Sequence, residues 1–103
     1  MTDKSIDELL NEGIAAYRCQ DFLAALARLS ETVAIEPRHW KARLYLAMSY
    51  YRSGQLLLAS KEFRHIAENC PLENLRQNAE AALLPIKEEI VLKTVELNRA
   101  PSF

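Results

Sequence analysis

Apolar residues recur along this chain at helical spacing in successive stretches separated by short polar turns. Leu9, Leu10, Gly13, Ile14 and Tyr17 share one face of a first stretch, and Phe22, Ala25, Leu26, Leu29 and Val33 share one face of a second. Leu46, Ala47 and Tyr50 mark a third, and Ala59, Phe63 and Ile66 a fourth. This periodicity of about 3.6 predicts amphipathic helices. Ser5 followed by Glu8 is a capping-box pattern that starts the first helix, which should end near Arg18 before a turn through Cys19, Gln20 and Asp21. The corresponding later turn holds Ser53, Gly54 and Gln55, where Gly54 can take the left-handed backbone that closes a helix. The first turn lacks that glycine, so backbone strain is expected at Gln20. Pro37 and Pro71 stop the second and fourth helices, because proline lacks an amide donor and disfavours helix at the residue before it.

After Pro71 a fifth helix should run to about Leu84, and Ile86 to about Asn98 also reads as helical. Pro85 between them leaves two readings: a kinked continuous helix, or a fresh helix with proline in its first turn. At about 100° per residue, Leu83, Ile86, Ile90, Thr94 and Leu97 form one face, which Leu84, Val91 and Val95 widen. So wide an apolar surface should touch two neighbours. One capping role is covering the open end of the helical stack.

Two stretches of the chain superimpose on a shift of 71 − 37 = 34 residues. Leu9, Glu12, Gly13, Ala16, Ala25, Leu29 and Pro37 then meet Arg43, Leu46, Ala47, Tyr50, Ala59, Phe63 and Pro71. Small residues recur where helices must approach closely, and larger apolar residues recur where a side chain fills the space between them. These slots follow the tetratricopeptide spacing, and the chain resembles a tetratricopeptide repeat (TPR) protein over roughly residues 5 to 85. At the start of the signature, where that family often has a large aromatic, this chain has Leu9 and Arg43, with Trp40 nearby.

The resemblance implies an all-α, TPR-like solenoid of helical hairpins: two repeats, a third half-repeat and a C-terminal capping or extension helix. Residues 1–4 form an N-terminal extension, 5–37 and 38–71 the repeats, 72–98 the capping region broken or kinked at Pro85, and 99–103 a frayed tail. In the third unit Ala81 falls in the slot of Gly13 and Ala47.

Composition adds mainly exclusions. The chain has 103 residues, 50% hydrophobic and 26% charged, which suits one compact domain. A formal charge of −1 with no cluster of Lys and Arg gives no electrostatic reason to bind nucleic acid. Asp3, Lys4, Asp7 and Glu8 interrupt the start of the chain, and no later stretch reaches spanning length, so no membrane partner and a soluble, cytoplasmic location are expected. Cys19 and Cys70 lie in no metal-ligand spacing and read as reduced, buried or half-buried side chains. His39 and His65 read as surface residues. With two glycines and no HExxH or GxSxG pattern, neither catalysis nor a cofactor or metal is expected.

In the family, recognition of a peptide or protein usually occurs on the concave surface lined by the first helix of each unit. On the 34-residue shift that surface takes Leu10, Leu44 and Asn78, then Ile14, Met48 and Ala82, then Tyr17, Tyr51 and Pro85, with Lys41 at its edge. Tyr17-Arg18 and Tyr51-Arg52 suggest an aromatic floor with a cationic rim, suited to an acidic-apolar segment. Leu10 and Ile14 stand where some family members carry the carboxylate clamp for chaperone tails, so that clamp is absent. The expected function is an adaptor or chaperone-like module that binds an apolar or amphipathic segment of another protein. The alternative is a structural subunit that forms a homodimer through the last helix, at Ile90, Val91 and Val95.

Overall fold

The computed structural model describes residues 4–98, and within them the chain is entirely helical apart from short turns. Helices α1 (Ile6–Arg18), α2 (Phe22–Ile35), α3 (Trp40–Arg52) and α4 (Leu56–Asn69) are followed by a long α5 (Glu73–Asn98). The tail expected at 99–103 lies outside the described residues.

The first four helices form two hairpins whose bounds are related by the 34-residue shift at both ends of both helices: 6 and 40, 18 and 52, 22 and 56, 35 and 69. Their turns repeat the same backbone hydrogen bonds. Cys19, Gln20 and Asp21 donate to Ala15, Tyr17 and Ala16, and Ser53, Gly54 and Gln55 donate to Ser49, Tyr51 and Tyr50. This closure satisfies carbonyls at the helix end and needs one residue in the left-handed region. Gly54 takes it at φ 84°, and Gln20 takes it at φ 63° despite its side chain.

Local chemistry also starts the helices. Ser5 Oγ accepts from the Glu8 amide at 3.1 Å, and Asp21 Oδ1 accepts from the Ala24 amide at 3.2 Å. His39 makes the equivalent bond for α3, its Nδ1 accepting from the Ala42 amide at 3.2 Å. The histidine in the turn between hairpins is therefore a helix cap, an uncommon choice at this position.

Each helix packs on its neighbour in sequence, and α3 also touches α1 and α5, so α1, α3 and α5 form one layer and α2 and α4 the other. Gly13 permits close approach of α1 and α2, and Ala25 and Leu29 of α2 have no solvent exposure. Ala47, Ala59 and Phe63 do the same for α3 and α4 in a second apolar cluster that continues into Ala79, Leu83 and Ile86 of α5. Arg43, at the slot where the family often has an aromatic, spans α3 and α4. Its Nη1 donates to Glu62 Oε2 at 2.8 Å, and its Nε donates to the Pro37 carbonyl at 2.6 Å.

Three expectations are corrected. Helix α5 runs unbroken through Pro85, so the fresh-helix reading is excluded. The carbonyl that proline deprives of a partner belongs to Ala81. Ala81 is exposed, so water can serve that oxygen. Second, Ala81 does not occupy a covered slot as Gly13 and Ala47 do. Among the described residues no helix lies against α5 in the place that α2 and α4 take against α1 and α3. Third, Cys19 is exposed while Cys70 is buried, and both are free thiols.

The burial pattern of α5 matches this arrangement. Of its buried residues Ala79, Leu83 and Ile86, the first two correspond to Tyr45 and Ser49 of α3, and Tyr45 packs against the cluster of the first hairpin. Asn78, Ala81 and Leu84 correspond to Leu44, Ala47 and Tyr50 and are exposed. Beyond Ile90 the helix is exposed through Leu97.

Candidate functional site

Three helices of one layer converge on a cleft of about 280 Å³. Tyr17 enters from α1, Met48, Tyr51 and Arg52 from α3, and Ala82 and Pro85 from α5, with Phe63 and Ile86 closing the floor. The helical repeat accounts for the convergence. Tyr17, Tyr51 and Pro85 are spaced by 34 residues, as are Met48 and Ala82, and helices stacked in one layer bring equivalent positions side by side.

The rings, the guanidinium and the Tyr51 hydroxyl at this cleft each have a specific neighbour. Tyr17 meets the rings of Phe22 and Tyr45 edge-on, with centroids 5.7 and 5.6 Å away. The Arg52 guanidinium lies 5.2 Å from the Phe22 ring centroid, a cation–π contact that holds the positive charge at the rim. The Tyr51 hydroxyl donates to Glu89 Oε1 at 3.1 Å, tying α3 to α5 across the cleft mouth. That bond, then partial desolvation and the carboxylate charge, push the Tyr51 phenol above its ordinary value.

The other expected groove residues are placed differently. Leu10 and Ile14 are buried in an apolar cluster with Leu29 of α2 and Leu46 of α3, and Leu44 is buried in the cluster that α3 forms with α4 and α5. Arg18, Lys41 and Asn78 are exposed but do not line the cleft. Of the tail residues, Val91 and Val95 are exposed. Ile90 instead packs against the core and faces a separate apolar cleft of about 450 Å³, bounded by Leu56, Leu57, Leu58 and Leu97. Phe63, Ile86 and Glu89 were not in the groove expected from sequence. The first two carried apolar periodicity but read as core, and nothing local marked Glu89.

No group of three His, Cys, Asp or Glu residues that could hold a metal occurs among the described residues. His65 lies 5.5 Å from Trp40, centroid to centroid, on the far side of α3 and α4. No helix among the described residues is long and apolar enough to cross a membrane.

Comparison with known proteins finds no matching family model, no matching curated protein and no matching solved structure. The likeness to tetratricopeptide repeats accordingly rests on the matched residues.

Proposed function

We propose that this chain is a non-catalytic protein-interaction module of the TPR kind, an adaptor or chaperone-like protein of the cytoplasm that binds an apolar or amphipathic segment of another protein. The cleft is the docking point. The observation that carries this reading is the meeting of Tyr17, Tyr51 and Pro85, equivalent positions of three successive units, around one apolar cleft. Its volume of about 280 Å³ suits one or two large side chains rather than a cofactor. A partner helix would place an apolar anchor against Met48 and Ala82 and run its acidic residues past Arg52 and Arg18. Glu89 is engaged by Tyr51, which limits its repulsion of such a segment.

Filling the cleft tests the assignment without removing core atoms. In affinity purification from cytosol, Ala82→Trp should lose specific partners that the unmodified chain and a Leu23→Lys variant, changed at an exposed position of α2, both retain. Partners held equally by Ala82→Trp would place recognition elsewhere on the molecule.

A further inference from the structure

The open face of α5 is the place where a following helix would pack if the hairpin pattern continued. In α1 the corresponding face is covered by α2, and in α3 by α4, each returning antiparallel after a turn of three residues. On α5 the face shows Ala81, Leu84, Val91 and Val95 with the polar Gln77 and Glu88 among them, and Leu84 is 67%, Val91 58% and Val95 57% exposed. Small Ala81 permits close approach, and the larger residues offer apolar area to an incoming helix.

We infer that a second copy of this chain covers this face, its α5 lying antiparallel on it about a two-fold axis near Leu84. Charge complementarity selects this occupant and register. On a helical projection Glu80 and Lys87 lie along the same edge of the open face, seven residues apart. In a two-fold antiparallel pair, an edge of one helix faces the same edge of its mate. Centring the pair near Leu84 therefore sets Lys87 of each copy opposite Glu80 of the other, giving two symmetry-related ion pairs. Neither residue has an ion-pair partner among the described residues, and both are exposed. The same register brings Val95 toward the exposed Leu72 of the second copy, and it sets Glu88 near Asn78 rather than against another Glu88. The contact is isologous and closes on itself, so it yields a dimer and no filament. The cleft around Met48 remains open in each copy, so the dimer would present two docking points and gain avidity.

Sedimentation equilibrium on the full 103-residue chain, from micromolar to millimolar concentration, tests this. The expected result is a reversible monomer–dimer equilibrium. Leu84→Glu, at an exposed position, should weaken the dimer on the order of a hundredfold while leaving the thermal midpoint of the dilute monomer unchanged. Lys87→Glu should weaken it on the order of tenfold, and Lys87→Glu combined with Glu80→Lys should restore it by exchanging the two charges. A chain that stays monomeric at millimolar concentration overturns the inference. So does a dimer indifferent to Leu84→Glu, or a charge exchange that fails to restore what the single change removed. Ala82→Trp should leave the equilibrium untouched, which keeps the outcome separate from that of the cleft.

Discussion

A Cβ placed on Gly13 would lie 2.7 Å from both Cγ and Cδ2 of Leu29, a side chain with no solvent exposure. Helix α1 rests directly on α2 at this point. Leu29 is enclosed and the clash reaches its branch carbon, so rotation of the side chain does not relieve it. In Gly13→Ala the gain in helix propensity, about 1 kcal/mol, opposes an overpacking penalty of about 1–3 kcal/mol. The expected outcome is a net loss of stability in urea denaturation. A variant as stable as the parent would show that the hairpin can open without strain.

The paired turns make a reciprocal experiment. Gln20 holds φ 63° and Gly54 holds φ 84°, with the same hydrogen bonds around them. A side chain in the left-handed region costs about 1 kcal/mol or slightly more. Gln20→Gly should therefore raise stability by about 1 kcal/mol, and Gly54→Ala should lower it by a similar amount. No atom lies within 4 Å of a Cβ built at Gly54, so the second effect reports backbone conformation alone.

Arg43 and Glu62 join α3 to α4 at 2.8 Å, with side chains only 15% and 18% exposed. Taking away the arginine strands a largely covered carboxylate and frees the Pro37 carbonyl. Arg43→Met should lose about 1–3 kcal/mol, and adding Glu62→Leu should recover part of it. A double-mutant cycle by chemical denaturation measures the coupling, which should be favourable.

Tyr51 gives the fold a dependence on alkaline pH. Its folded pKa is raised, first by the bond to Glu89, so the stabilisation is fully present below the unfolded phenol value of about 10 and is lost as pH rises through the folded value. Tyr51→Phe should reduce stability by a constant small amount at neutral pH. Above pH 10 its stability should fall less steeply than the parent's. Urea midpoints taken across that range check the sign, and parallel curves would show that the hydroxyl does not couple to folding.

Two helices and a short loop form a local unit, so the bounds of α1 to α4 could be read from periodicity, caps and prolines. The 34-residue offset makes Tyr17, Tyr51 and Pro85 neighbours, because equivalent positions of helices side by side in one layer coincide. Arg43 was visible only as a departure from the repeat. Its partners, Glu62 and the Pro37 carbonyl, lie on another helix and a turn, and no spacing rule connects them. Leu10, Ile14 and Leu44 illustrate the same limit. They belong to the right face in projection, yet neighbouring side chains from adjacent helices bury them.

Helix positions, turns and the repeat interval follow from interactions within about 35 residues of chain, which is why the order of amino acids was sufficient to find them. Whether Ala81 is covered, whether Pro85 breaks its helix and which side chains remain open depend on which helices stand alongside. Burial is a property of that assembly. Ala47 and Ala81 are the same residue type in the same repeat slot, and among the described residues a helix packs over the first and none over the second.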